Sequence, residues 1–261
     1  MSDAALVLKQ ARYGLLESAR NSRVIVFTIV FPIVLLVLFN SVFASGDDQT
    51  TRFAGGTIST DAYFTAGILA YAIVMSSFST LAVGMTTKRE SGQLKRLRGT
   101  PMPPWTFIAA EVLRSIVLVV AMAVVLLLIG HFAFGVELPG DTVVGLVVYV
   151  ALGTATMATL GIAITVFLPN ADAASTVAPF SAVILAFVSG VFIPVEQLPG
   201  WLEEIGRVFP LYHLAEGLQT TLLSSVGGTG LSAGNVAVLA AWGIAGLSIA
   251  TRHFRWEPQR G

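Results

Sequence analysis

The chain has 261 residues, 55% hydrophobic and 11% charged, with 15 basic residues balanced by 15 acidic ones and no cysteine. Soluble domains carry about a quarter of their residues charged, so this composition and a mean hydropathy of +0.80 exclude disorder and a water-soluble core. The lack of cysteine excludes a disulfide framework, a thiolate metal site and a cysteine nucleophile.

Residues Met1–Arg23 read as an amphipathic helix. Ala4, Val7, Leu8, Ala11 and Leu15 share one side, and Lys9, Arg12, Arg20 and Arg23 share another. Such a helix lies in the headgroup layer with its cations against anionic lipid. A plain topology signal is the alternative reading.

A helix needs roughly 20 apolar residues to cross a hydrocarbon core about 30 Å thick. Runs free of Asp, Glu, Lys and Arg are Val24–Gly46, Ser115–Val136, Thr142–Asn170, Ala173–Val195 and Gly217–Thr251. The glycine-rich stretch Val226–Gly234 divides the last, leaving Ala233–Thr251 as its spanning part. A sixth run, Ala62–Thr87, is less apolar because Ser76, Ser77, Ser79 and Thr80 interrupt it. The expectation is six spans, at 24–46, 62–87, 105–136, 142–170, 173–195 and 233–251. Core helices of a soluble protein would need polar outer faces, and six such runs leave none to cover them. The first run begins only at Val24, is too long for a leader's apolar region and lacks a small-residue cleavage site, so no cleavable signal peptide is expected. Pro32 falls early in the first span, where membrane helices tolerate a kink.

Basic residues set the orientation. Twelve of them lie on one side of a six-span chain: Lys9, Arg12, Arg20, Arg23, Lys88, Arg89, Lys95, Arg96, Arg98, Arg252, Arg255 and Arg260. The opposite loops hold Arg52 and Arg207 against nine acids, among them Asp47, Asp48, Asp61, Glu137 and Glu203. Both termini are therefore expected in the cytoplasm, the tail being residues 252–261.

The loop 88–101 reads as a short helix with Glu90, Leu94 and Leu97 on one side and Lys88, Arg89, Lys95 and Arg96 on the other. Gly99 and Pro101 stop it, and Pro103 and Pro104 open the next helix. Two turns are not stable alone in water, so this helix must pack on something. Either it lies on lipid or it plugs a groove of a cytoplasmic partner.

Residues 196–232 hold two short apolar helical stretches broken at Pro210, each too short to span. A re-entrant pair in the outer leaflet fits, with Trp201 and Tyr212 at headgroup level. Ser76, Ser77, Ser79 and Thr80 of the second span, with Ser181 and Ser189 of the fifth, either line a transport path or make helix-packing contacts.

Chemical motifs are few. His131, His213 and His253 have no metal spacing, and no catalytic residue stands out. Ser189 and His213 would have to meet for an intramembrane hydrolase. The acid within a span is Glu111, near its cytoplasmic end, with Arg114 one turn on as its natural pair. No phosphate-binding loop is present, so this chain shows no energy source of its own.

The segment Arg89-Glu90-Ser91-Gly92-Gln93-Leu94-Lys95-Arg96-Leu97, followed by Thr100-Pro101, resembles the cytoplasmic element of ABC-2 type transporter permeases. Ser189-Gly-Val-Phe-Ile-Pro194, Leu198-Pro-Gly-Trp201 and Phe209-Pro-Leu-Tyr212 resemble the family's late signature, which runs into its outer helices. The resemblance covers nearly the whole chain and is closest to the daunorubicin, multidrug-resistance branch. Glu111 departs from it, because many relatives carry lysine early in the third span.

The resemblance implies an all-α polytopic membrane protein with six transmembrane helices, an N-terminal interfacial helix, a cytoplasmic coupling helix and an outer re-entrant pair between helices 5 and 6. It implies a permease subunit of a plasma-membrane exporter for an amphipathic drug, lipid or lipid-linked molecule. ATP and Mg would be bound by a separate ATP-binding subunit, present in two copies. The permease would pair with a second copy of itself or a related permease, contact membrane lipids, bind no nucleic acid and hold no cofactor or metal. Arg89, Glu90, Gly92, Leu94, Leu97, Thr100 and Pro101 would form the ATPase-coupling element. Lys9, Arg12, Arg20, Arg23, Lys88, Lys95 and Arg96 would meet headgroups, and Trp201, Pro210, Tyr212 and Glu216 would mark the outer helices. The competing class is an ATP-independent secondary carrier or channel, which predicts an internal repeat; no convincing repeat relates the two three-span halves.

Overall fold

A computed structural model describes residues 3–43, 50–53, 56–99, 103–223 and 228–253. The chain opens with α1 (Asp3–Ala19). Next comes α2, residues 22–43, in which the turn Ser22–Ile25 and the α-helix Phe31–Phe43 flank a π turn at Val26–Val30. Pro32 explains that turn: it has no N–H, and its ring collides with the carbonyl four residues back, so the preceding turn widens.

An antiparallel hairpin follows, β1 (Thr50–Phe53) with β2 (Gly56–Ser59), pairing Thr50 with Ser59 and Phe53 with Gly56. The sequence reading has no strand here. Four-residue strands alternate too briefly to register, and only Phe53 and Ile58 turn inward to anchor them.

The next helix, α3 (Thr60–Glu90), starts where the Ser59 hydroxyl accepts the Ala62 N–H at 3.3 Å. Its residues 62–79 are buried without exception, the pattern of a helix enclosed by protein on all sides. A second π turn, Val74–Ser79, lies in this buried part and needs no proline. There Thr80 Oγ1 donates to the Met75 carbonyl at 3.0 Å.

Gly92, left-handed at φ +70, separates α3 from α4 (Gln93–Arg98). Then come α5 (Pro104–Phe134), α6 (Val143–Ile164) and α7 (Ala171–Val188). Beyond the 3₁₀ turn Val195–Gln197 are α8 (Gly200–Val208), α9 (Pro210–Thr221) and α10 (Ala233–His253). Among the described residues, five helices are long and apolar enough to cross a membrane: α3, α5, α6, α7 and α10. The apolar part of α2, Thr28–Phe43, is shorter.

Several bounds differ from the sequence expectation. The second run does not stop at Thr87, because α3 continues through Lys88, Arg89 and Glu90. The fourth ends at Ile164 rather than Asn170, since Thr165 Oγ1 turns back to the Ile162 carbonyl at 2.6 Å and Pro169 follows. The fifth ends at Val188, well short of Val195, because Gly190 is left-handed at φ +72.

Small residues set the packing around α3. Along α7, Ala174, Ala178, Ala182 and Ala186 are wholly buried, four residues apart, while Val177, Phe180, Ile184 and Phe187 face outward. An alanine stripe of this kind lets helices approach closely where lipid supplies no hydrophobic drive. α6 is wedged between α10 and the π turn of α3. A Cβ on Gly161 of α6 would lie 2.5 Å from the Phe78 carbonyl oxygen in that turn. The outer helices carry the exposed apolar stripes, such as Val117, Val120, Val124 and Leu128 on α5.

Candidate functional site

Two polar assemblies close the ends of this bundle. At the basic end, α1, the C-terminal turn of α3, α4 and the start of α5 meet the α6–α7 connection and the end of α10.

Arg89 organises that end. Its side chain is 2% exposed. One guanidinium nitrogen donates to the Thr165 carbonyl at 2.9 Å, and the other donates to the carbonyls of Leu168 and Pro169. These carbonyls follow the last turn of α6, where helical partners run out. The planar fork of arginine satisfies several acceptors at once. One residue on, the Glu90 carboxylate accepts the Ala171 N–H at 2.9 Å in the first turn of α7, where an anion is favoured. Asn170 Oδ1 accepts the Ala173 N–H at 2.8 Å and completes that cap.

The two faces expected for α4 are reversed. Leu94, assigned to a partner's groove, is 1% exposed and packs on Leu81, Met85, Phe107, Ile108, Ile162 and Ala250. Leu97 is half-buried against the same cluster. Arg89, grouped with the coupling element and on the basic side of the expected helix, is buried inside the chain. The outward surface of α4 is Gln93, Lys95 and Arg96, all exposed. The cause is Gly92: its left-handed conformation ends α3, so Glu90 belongs to a different helix from Leu94 and Leu97. Thr100 and Pro101 lie outside the described residues.

Beside α4, the buried Glu111 carboxylate sits between Lys88 Nζ at 2.8 Å and Arg114 Nη2 at 2.7 Å, so the expected Glu111–Arg114 pair forms and gains a third member. Lys88 also reaches Glu17 at 3.6 Å and lies 5.9 Å from the Phe107 ring centroid. Arg114 Nη1 donates to Ser18 Oγ at 2.7 Å, and Ser18 in turn donates to the Gly14 carbonyl at 3.0 Å. A Cβ on Gly14 would lie 2.6 Å from Arg114 Cδ. So α1 docks on α5 through Gly14, Ser18 and buried Ala11, while Lys9, Arg12 and Arg20 remain exposed and Arg23 lies in the first turn of α2. No local pattern signals this dock, because Ser18 and Arg114 are far apart in the chain.

At the opposite, acidic end, the Ser189–Pro194 segment turns off α7 into a network. Tyr63 Oη donates to the Gly190 carbonyl, which also accepts Gln219 Nε2 at 3.1 Å. Here α8 and α9 lie across the bundle end, with Pro210 buried at the first position of α9 and Trp201 exposed on α8. A cavity of about 280 Å³ opens between them. Its lining includes the charged Glu196, Glu203, Arg207 and Glu216, the aromatic Phe53 and Tyr212, and the buried Ser189 and Gln219. Glu203 is paired with Arg207. Burial raises the Tyr212 phenol above its ordinary range, with the Glu216 carboxylate adding to the shift and Arg207 opposing it.

The cavity thus gathers Ser189, Tyr212 and Glu216, which the sequence assigned to two separate groups. The other serines stay apart from it. Ser76, Ser77 and Ser79 are buried in the π turn of α3, Ser79 against Met75 Sδ at 3.7 Å, and Ser181 donates to the Ala178 carbonyl at 2.9 Å. His213 does not meet Ser189. Its Nε2 donates to the Arg207 carbonyl at 2.8 Å and its Nδ1 contacts Asn235 Oδ1 at 2.9 Å. Neither nitrogen is left to serve as a base.

Comparison with known proteins agrees with this architecture. Residues 10–223 match the family described as ABC-2 type transporter. The chain is also 22% identical over 209 residues to the Bacillus subtilis (strain 168) protein named "Putative transport permease YvfS", covering 80% of this chain and 82% of that one.

Proposed function

Because the chain belongs to the ABC-2 type transporter family and is a multi-pass membrane permease of an ABC transporter, we propose that it is the membrane subunit of an exporter driven by ATP hydrolysis on a separate subunit. Two ATP-binding subunits, carrying ATP and Mg, would serve two permease copies, either identical or related. In this reading α2 supplies a sixth span. The basic end faces the cytoplasm and the acidic end the outside of the plasma membrane. The cargo is an amphipathic drug, lipid or lipid-linked molecule, consistent with central helices that carry hydroxyls rather than charges.

The observation that carries the coupling role is the mounting of α4. Its apolar side, Leu94, is sunk in the bundle, and its outward side presents Gln93, Lys95 and Arg96. A partner closing on ATP would press that polar side. The load would pass through Leu94 to α3, α5, α6 and α10, and through Arg89 and Glu90 to the α6–α7 connection. The Lys88–Glu111–Arg114–Ser18 chain would carry it to α1.

Affinity purification from native membranes tests this. The unmodified chain should bring down an ATP-binding protein in stoichiometric amount. The Lys95→Glu/Arg96→Glu double substitution should release it while leaving the permease's thermal unfolding unchanged. Leu94→Asp is the uninformative choice, since a buried carboxylate disrupts the fold itself. Recovery of a partnerless oligomer would overturn the reading in favour of a secondary carrier.

A further inference from the structure

The geometry points to a binding site for an organic ammonium group in the acidic-end cavity between α7, α8 and α9, an inference that does not depend on ATP coupling or the direction of transport. Three carboxylates, Glu196, Glu203 and Glu216, line it against the single guanidinium of Arg207. Arg207 is engaged by Glu203, so the cavity keeps an excess of negative charge at Glu196 and Glu216. That balance excludes an anion.

An independent observation comes from Ser189. Ser189 is 1% exposed, it lines the cavity, and its hydroxyl oxygen has no hydrogen-bond partner among the described residues. A buried hydroxyl without a partner is costly, and a donor arriving in the cavity relieves it. The chemistry that suits both the carboxylates and this hydroxyl is a cation that also donates hydrogen bonds.

Three features narrow the class. Among the described residues, no group of three or more His, Asp or Glu side chains is close enough to hold a metal ion. Tyr212 and Phe53 also line the cavity, and aromatic rings favour an organic cation over a hydrated inorganic one. The cavity volume is about 280 Å³. That holds a small headgroup while an apolar tail stays in the membrane.

A primary ammonium of this kind could come from an amine-bearing cargo or from an ethanolamine headgroup. The probe is dansylcadaverine, a fluorescent primary alkylammonium, titrated without nucleotide against the full chain in dodecyl maltoside. Saturable binding should weaken at least tenfold in Glu216→Gln and in Glu196→Gln, the second being an exposed position that cannot compromise folding. It should tighten in Arg207→Gln. Displacement of the probe by added phosphatidylethanolamine assigns the site to the lipid headgroup, and resistance to displacement assigns it to soluble amines or cargo. Equal affinity in all three variants, or equal binding of the uncharged N-acetyl probe, overturns the proposal. Neither result would touch the ATPase pull-down, so the two readings fail separately.

Discussion

At the residue scale the most consequential side chain is Arg89. It joins the end of α3 to carbonyls at the end of α6, and no other described cation reaches them. Hydrogen bonds to charged groups contribute about 1.5–3 kcal/mol each in mutational series, and these share one buried donor. Arg89→Ala is expected to lower stability by about 2–4 kcal/mol, read as a drop in Tm in detergent. Arg89→Lys should recover little of it, since an ammonium cannot span acceptors that a fork bridges. Equal Tm in wild type and Arg89→Ala would remove the arginine from this role. The role was not legible in the sequence, where Arg89 counted as one of several loop cations. A charge count fixes which end is basic but not which cation turns inward. That depends on carbonyls left over some 80 residues downstream, which no local pattern places beside it.

At the element scale, the long apolar helices were legible because each must fill a fixed thickness with apolar residues. The faces of α4 were not. A helical wheel carries phase only through unbroken helix, and Gly92 breaks it between Glu90 and Leu94. The π turn of α3 was not legible; the sequence shows only a cluster of hydroxyls at Ser76–Thr80, which reads equally as a path or as a packing surface. Within this chain α6 lies against the turn at Gly161. Gly161→Ala would force a methyl onto the Phe78 carbonyl oxygen, which is backbone and cannot swing away. Overpacking costs about 1–3 kcal/mol, so Gly161→Ala should lower Tm. Gly84→Ala on α3, where a Cβ meets nothing within 4 Å, should leave Tm unchanged or raise it. The reverse ranking would mean that α6 and the π turn are not in contact.

At the scale of the whole molecule, the separation of charge between the two ends is the property to test, because the orientation rests on it. The chain has no cysteine, so single cysteines can be introduced without first removing native ones. Lys95→Cys on α4 and Trp201→Cys on α8 are both exposed in this chain and lie at opposite ends of the bundle. In intact cells, a membrane-impermeant maleimide should label Trp201→Cys and spare Lys95→Cys until the membrane is opened. Labelling in the opposite order would invert the topology and move α4 away from any cytoplasmic ATPase. The acidic end was visible in the sequence as nine carboxylates against two arginines. Its cavity was not, because it depends on the hairpin residue Phe53 and the turn at Ser189 meeting across more than half the chain.

The knot that Arg89, Glu90 and Asn170 tie at the basic end has a mechanical consequence. It fastens the end of α3, the end of α6 and the start of α7 into one block, so these helices cannot slide past one another there. What remains to them is rotation about the knot. α7 has 18 residues, a lever arm of about 27 Å at about 1.5 Å per residue. A tilt of about 5° at its fixed end sweeps the far end through about 2 Å. The far end is Ser189, which lines the cavity one residue before the Gly190 carbonyl that Tyr63 and Gln219 hold, so a tilt at the basic end would reach the cavity only by working against those two hydrogen bonds.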